Sequence, residues 1–279
     1  MVTGAEAADM YQTHGFPPEL FETLAAEHNY TFDWEGYQAE MERHGIESGG
    51  GTRVELFKRD PLEGIKKAMH GSKFVGYETR EVDDALVVGI ISGGKLVDRE
   101  DEAHRDKPIV LVLNETPFYG EMGGQVGDRG IISNEKFRFE VIDSQVDGGF
   151  TLHVGHLLKG VVTVNDKVKA AVDTRRRDGI ERAHSATHLL HCALQQVLGE
   201  HAQQQGSKVD EDVLRFDFSN QKAVPAESLD KIESLVNEHV LEGAAIAADN
   251  MPLSAARETG AMMLFGEKYG EQVRVITFD

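Results

Sequence analysis

The sequence predicts an α+β protein: a short helical N-terminal tail, then a small antiparallel β-barrel, then a mixed α/β core. Two observations support this fold class. The middle of the chain contains short apolar strands separated by glycine and aspartate turns, whereas apolar residues recur at helical spacing on both sides of it. A chain of 279 residues also has room for about two domains of roughly 150 residues each. The predicted limits are 1–50 for the tail and linker, 51–165 for the barrel and 166–279 for the core.

Composition is that of an ordinary folded chain, with 40% apolar and 28% charged residues. A single cysteine, Cys192, excludes an intramolecular disulfide and suits a reducing compartment. The net charge of -19 argues against broad, non-specific binding to nucleic-acid duplexes, although a local basic patch is compatible with it. The sequence has no apolar run of about 18 residues and no signal-peptide pattern, so we expect a cytoplasmic protein without membrane contact.

The elements are assigned in chain order. Helices are predicted within the first 45 residues, around the apolar positions 20–25 and 34–41, and a flexible joint is predicted at Ser48–Gly51. Barrel strands are predicted at 85–91, 109–113, 130–132, 137–141, 150–154 and 160–164. After Asp166 we expect helices to return, with helices at 178–198 and 227–242 and strands at 213–218 and 273–278.

The segment 182–191 contains His184 and His188, which are four residues apart on a predicted helix. Two such imidazoles project from one face and can chelate a divalent cation, for which zinc is favoured. Two solvated or packing histidines are the alternative explanation of this spacing. His191 falls close to the same stripe, while Cys192 lies about 100° further round the helix and does not suit the site.

The segment 115–130 is rich in glycine and follows a predicted strand. Closely spaced glycines indicate positive φ angles or a close approach of the backbone to a ligand. The segment is neither a P-loop nor a dinucleotide fingerprint, because no Gly-Lys-Ser/Thr follows and the next element is a strand. A tight barrel corner and a binding loop both remain open.

A third feature is a run of cations between residues 167 and 182. It includes Arg175, Arg176 and Arg177, but acidic residues are interleaved with it. A solvated helical surface and a set of phosphate contacts are both compatible with this pattern.

Taken together, these segments resemble alanyl-tRNA synthetases. Thr116–Tyr119, Gly123–Gln125 and Gly127–Gly130 resemble the glycine-rich barrel motif of that family, and His184–His191 resembles the zinc helix of its editing domain. Further similar segments occur in the same order along the chain, at 11–17, 205–207, 214–219 and 260–270. The chain is therefore identified as resembling the end of the family's tRNA-recognition region followed by its editing domain.

The resemblance implies a hydrolase that acts in proofreading on the 3′ acceptor end of tRNA(Ala). Thr116 would hydrogen-bond a serine hydroxyl and Gln125 would shape the pocket, as the catalytic pair. His184 and His188 would hold Zn²⁺, and Arg175, Arg176 and Arg177 would contact tRNA near the mouth of the cleft. We expect the glycine-rich loop to face the helix that bears the two histidines.

One departure from the family concerns its Cys-x-x-x-His zinc motif, which follows the strand matched here by 273–278 but is not present by Asp279. We therefore expect a truncated fragment with an incomplete zinc site, working with the remainder of the synthetase in cis. ATP would bind only in the absent ligase core. Three functions compete: an editing hydrolase module, a non-catalytic module that binds the tRNA acceptor, and a free-standing editing protein, which the tail and the absent ligands disfavour.

Overall fold

The computed structural model describes residues 2–14, 25, 30–34, 36–37, 40, 62–67, 69–102, 107–261 and 270–278. The predicted joint at Ser48–Gly51 lies outside these residues, and so do most positions of the helices predicted within 20–41. Among the described residues, no helix is long and apolar enough to cross a membrane. The chain divides into two compact units, Met1–Arg176 and Arg177–Asp279.

Secondary structure in the first unit begins with α1 (Gly4–His14) and α2 (Glu63–Lys66). The strands that follow are β1 (Lys73–Phe74), β2 (Glu81–Ser92), β3 (Lys95–Val97), β4 (Arg99–Asp101), β5 (Ile109–Leu113), β6 (Glu115–Thr116), β7 (Gly130–Ser133), β8 (Phe137–Asp147), β9 (Phe150–Thr163) and β10 (Lys167–Val172). Helix α3 (Thr174–Leu198) crosses the boundary between the units. The second unit continues with β11 (Gln204–Val209), β12 (Leu214–Phe218), α4 (Ala226–Glu242), β13 (Ile246–Pro252), α5 (Leu253–Glu258) and β14 (Gln272–Phe278).

The barrel predicted from the sequence is confirmed. Six antiparallel strands follow one another in the order β10-β7-β8-β9-β5-β2, and β10 pairs with β2 to close the ring. Strands β3 and β4 are not part of this ring and pair with β2 and β9, respectively. The α+β fold class is confirmed with it.

Alternate residues of β5 serve two different apolar clusters. Leu111 and Leu113 belong to the larger cluster, together with side chains from the other barrel strands. Val110 and Val112 pack instead with Leu62 and neighbouring residues in a smaller cluster. Because successive side chains of a strand point to opposite faces, β5 is buried on both, which explains its uninterrupted apolar sequence.

The sequence predicted that helices return directly after Asp166. This was wrong, because strand β10 lies between Asp166 and helix α3. Val168, Ala170 and Val172 are buried, whereas Lys167 and Lys169 between them are exposed. This two-residue alternation is the signature of a strand with one buried face. The two lysines, which the sequence analysis grouped with the cation run, lie on the outer face of the barrel and pair with acidic residues of β2.

The second unit is held together by a cluster between α3 and α4. Ala193, Leu194 and Ile232 are buried, and Leu190, Val197 and Leu198 pack against them. The apolar face of α3 therefore packs within the second unit. The helix ends at Leu198, and Gly199 follows with a φ of 111°, which suits glycine at a helix C-terminus.

Candidate functional site

The glycine-rich loop follows β6, which pairs with β1 outside the barrel, and enters the barrel strand β7 at Gly130. At its base, the Tyr119 backbone N–H donates to Asp128 Oδ2 at 2.7 Å, and the Asp128 backbone N–H donates to the Tyr119 carbonyl at 2.9 Å. The buried Ser144 hydroxyl donates to the Asp128 carbonyl at 2.9 Å. These bonds fix both ends of the loop to each other and to strand β8.

The glycines of this loop meet two different structural needs. Gly123 and Gly124 have φ angles of 62° and 80° and form a tight turn, which Met122 and Gln125 close by reciprocal backbone hydrogen bonds. Gly127 lies so close to strand β8 that an added Cβ would be 2.1 Å from the Ser144 carbonyl oxygen. Turn geometry and close backbone packing therefore both account for the glycines of this loop. These contacts agree with a tight barrel corner and are also compatible with a binding loop.

Thr116 is enclosed within the first unit and hydrogen-bonds a histidine. Its Oγ1 lies 2.7 Å from His153 Nε2 and accepts the Phe118 backbone N–H at 3.1 Å. On the other side of the ring, His153 Nδ1 lies 2.9 Å from the Leu111 carbonyl oxygen. Thr116 and His153 both have 0% exposure. Burial lowers the pKa of His153 to about 4, so its ring is neutral at physiological pH.

Sequence reasoning missed His153. The signal was present, since a single histidine interrupts the strand Phe150–Val154, but nothing in the sequence identified its partner. In strand register His153 pairs with Leu111, which directs both side chains to the same face of the sheet. Gln125, the second residue of the predicted catalytic pair, is buried in the same loop, with 8% exposure. Its role stays a prediction.

His184 and His188 share one face of α3, as their spacing predicts. Their rings are stacked, with centroids 5.3 Å apart and planes inclined by 22°. Desolvation lowers the pKa of His184, and it lowers that of His188 together with the neighbouring His184 and His191. Both rings are therefore held in the neutral form, which is the form that ligates metal.

His191 lies on the next turn and has a different environment. It has 2% exposure, and its ring packs against Phe216 with centroids 5.1 Å apart. Within the described residues its Nε2 is buried without a hydrogen-bond partner. Burial lowers its pKa, partly opposed by a hydrogen bond with the backbone of Ala202.

These histidines do not complete a zinc site in the part of the chain that the structure describes. No group of three or more His, Cys, Asp or Glu side chains there is placed to hold a metal ion. Structural zinc takes four protein ligands, and catalytic zinc takes three with a water molecule. His184 and His188 thus supply half of a structural set at most.

The three consecutive arginines are placed differently from one another. Arg175 is exposed, whereas Arg176 and Arg177 have 9% and 4% exposure. Arg176 Nη1 donates to the Gly127 carbonyl oxygen at 2.7 Å, which ties the start of α3 to the glycine-rich loop. Arg177 forms an ion pair of 3.8 Å with Glu181. Of the three, only Arg175 presents its side chain to solvent.

Comparison with known proteins identifies the family. The family model described as tRNA synthetases class II (A) matches residues 1–176, which is more than half of the chain. The chain belongs to the class II (A) tRNA synthetases. This synthetase chain is 51% identical over 284 residues to the alanine–tRNA ligase of Rhodopirellula baltica, covering 99% of the chain and 30% of that relative.

Other alanine–tRNA ligases match over the same extent. Identity is 43% with that of Saccharophagus degradans and 40% with that of Staphylococcus saprophyticus, in each case over 99% of this synthetase chain and 31% of the relative. The chain thus spans about a third of the length of these curated relatives. Their match includes His184 and His188, which lie beyond the residues matched by the family model.

Proposed function

We propose that this chain carries the editing site of an alanyl-tRNA synthetase and hydrolyses the ester of tRNA(Ala) mischarged with serine or glycine. Three findings support the proposal: homology to alanine–tRNA ligases over nearly the whole chain, the glycine-rich loop built on a closed barrel, and two neutral histidines stacked on one helix. Its partners would be the 3′ acceptor end of tRNA(Ala) and the remainder of the synthetase in cis, in the cytoplasm.

A physical argument explains why such a site is needed. A pocket built for alanine rejects a substrate that merely adds a hydroxyl by only about a hundredfold, and it admits the smaller glycine. A second site that hydrolyses the wrong ester removes the remaining errors. Such a site must recognise the serine hydroxyl, which requires a hydrogen-bonding group of fixed orientation.

Thr116 carries the proposal, because its hydroxyl is fixed by two hydrogen bonds in an enclosed position. Thr116 has 0% exposure, so a substrate would have to displace the side chains that enclose it. A ligand hydroxyl would then pair with the remaining lone pair of Thr116, whereas the methyl group of alanine would leave that lone pair unsatisfied. Gln125, which is buried in the same loop, would line the pocket. The loop is clamped at its base by the Tyr119–Asp128 pair, so the recognition group is held on a rigid support.

Hydrolysis of seryl-tRNA(Ala) is the direct test. We expect the protein to deacylate seryl-tRNA(Ala) faster than alanyl-tRNA(Ala), and Thr116→Val to lower kcat/KM for the seryl ester about tenfold, because one hydrogen bond to the substrate is lost. Thr163→Val is the matched control, since Thr163 is an exposed threonine of the same barrel. Equal rates for the wild type and Thr116→Val would contradict the proposed role of Thr116.

Zinc would be held by His184 and His188 together with ligands outside the described residues. With two donors among the described residues, the isolated chain of 279 residues should bind zinc weakly, and a form extended through a Cys-x-x-x-His motif should bind it tightly. Metal analysis after dialysis against a chelator measures the difference. Stoichiometric zinc retained by the chain of 279 residues would contradict this expectation.

Contact with tRNA should depend on Arg175 more than on its two buried neighbours. Replacing Arg175 by alanine should weaken tRNA binding and reduce the slope of log affinity against log salt by about one, since one phosphate contact is lost. Arg138→Ala removes an exposed arginine from the barrel and serves as the control. An unchanged slope in Arg175→Ala would show that this arginine is only a solvated surface residue.

A second candidate function is a module that binds the tRNA acceptor without catalysis. The incomplete metal donor set among the described residues favours it. It predicts salt-dependent binding of tRNA without deacylation of the seryl ester. Measuring both properties on the same preparation separates the two functions.

A further inference from the structure

The buried histidine of the barrel determines how the Thr116 hydroxyl can be used. A threonine hydroxyl has one hydrogen to donate and two lone pairs that accept. Its neighbours therefore decide whether the hydroxyl donates or accepts in each hydrogen bond. Those neighbours are His153, the Phe118 backbone N–H and, through the ring of His153, the Leu111 carbonyl.

The argument begins at the Leu111 carbonyl, which can only accept a hydrogen bond. His153 Nδ1 is 2.9 Å from it, so the hydrogen of the imidazole must be on Nδ1. Burial lowers the pKa of His153, so the ring has no second hydrogen and Nε2 carries a lone pair. At 2.7 Å from this lone pair, Thr116 Oγ1 must donate its only hydrogen to Nε2.

The number of hydrogen bonds that Thr116 Oγ1 can still form follows directly. One of its lone pairs accepts the Phe118 backbone N–H at 3.1 Å. The hydrogen is committed to His153, and a single lone pair is left. Both side chains have 0% exposure, so water does not compete for these bonds. His153 is also held by Phe118, whose ring packs edge-on against it with centroids 5.1 Å apart.

We propose that His153 is a positioning residue that makes Thr116 an obligatory hydrogen-bond acceptor, so that, among substrates with a polar group at the position of the serine hydroxyl, the site selects those whose group donates a hydrogen bond. This proposal rests on the proposed function and deepens it. Serine, whose hydroxyl donates, satisfies the requirement. A group of similar size that only accepts, such as the fluorine of 3-fluoroalanine, does not, although a freely rotating hydroxyl would tolerate both.

The first experiment tests the direction of the hydrogen bonds without any substrate. Nitrogen NMR of the wild-type protein labelled in its histidine rings distinguishes a protonated from an unprotonated ring nitrogen, and loss of the signal in His153→Gln assigns it. We expect His153 to have its hydrogen on Nδ1 at neutral pH. A hydrogen on Nε2 would overturn the proposal, since Thr116 would then accept from His153 and keep its own hydrogen for the substrate.

The second experiment tests selectivity with seryl-tRNA(Ala) and 3-fluoroalanyl-tRNA(Ala). In the wild type, kcat/KM should be about tenfold higher for the seryl ester, as expected for one hydrogen bond. In His153→Phe the Thr116 hydroxyl is released and can donate, so the ratio should fall toward one. His153→Gln, whose side-chain oxygen can accept from Thr116, should restore part of it.

Ratios are used because both substrates are measured on the same folded molecules, so a variant that folds less well does not change them. An unchanged ratio in His153→Phe, or a wild-type ratio near one, would overturn the proposal. If the wild type does not hydrolyse the seryl ester at all, the proposed function fails, while the NMR result still decides the direction of the Thr116–His153 bond.

Discussion

Lowering the pH from 7 to 4 should reduce the free energy of unfolding by about 3 kcal/mol through His153 alone. Burial lowers the pKa of this histidine from 6.5 to about 4 in the folded protein. As the pH falls below 6.5 the unfolded chain binds a proton at this position and the folded chain does not, so stability is lost between 6.5 and 4. A difference of one pKa unit corresponds to about 1.4 kcal/mol.

Denaturant unfolding at a series of pH values measures this loss. Other groups titrate in the same range, including the histidines of α3, whose pKa values are also lowered. The comparison is therefore with His153→Gln, which keeps a polar side chain at the site but does not titrate. Over this pH range, the free energy of unfolding of His153→Gln should fall by about 3 kcal/mol less than that of the wild type. Parallel curves for the two proteins would show that folding does not lower the pKa of His153.

Replacing Gly127 by alanine should destabilise the protein by about 3 kcal/mol, near the upper end for overpacking in a close-packed region. The new Cβ would lie 2.1 Å from the Ser144 carbonyl oxygen and close to Asp143. The loop has little freedom to move away, because Arg176 holds the Gly127 carbonyl and Ser144 holds the carbonyl of Asp128.

Gly123→Ala is the matched control for this substitution. Gly123 is in the same loop and has no atom within 4 Å of an added Cβ, so its only cost is the left-handed backbone conformation, about 1 kcal/mol. Denaturant midpoints with unchanged slopes would provide the comparison. Equal losses in the two variants would show that the loop relaxes around Gly127.

The barrel was predictable from the sequence because several of its strands are runs of apolar residues. Strand β5 is a continuous apolar run, and the glycine turn after Ser92 marks the end of β2. Strand β10 was missed since its lysines suggested a charged surface before a helix. Strands β11 and β13 escaped prediction for a related reason: each contains mainly polar or small residues, and pairing with a neighbouring strand defines it more than its own sequence does.

The candidate site was predictable only where residues close in sequence are also close in space. The stacking of His184 and His188 follows from four-residue spacing on a helix. The pairing of Thr116 with His153 joins strands β6 and β9 and has no counterpart in local spacing. The burial of Arg176 was also beyond sequence reasoning, because the Gly127 carbonyl that it contacts is distant in sequence. The ion pair between Arg177 and Glu181, in contrast, follows from four-residue spacing on α3.

Closure of the barrel has a consequence for how the chain folds as it is synthesised. The ring closes where Val168 and Ala171 of β10 pair with Ala85 and Glu81 of β2. Strand β2 leaves the ribosome long before β10, so one of its edges has no partner while the intervening strands are made. An unpaired strand edge can join other chains, and contacts between distant residues form slowly. Nascent chains that stall before Lys167 should therefore be the ones that depend most on chaperones.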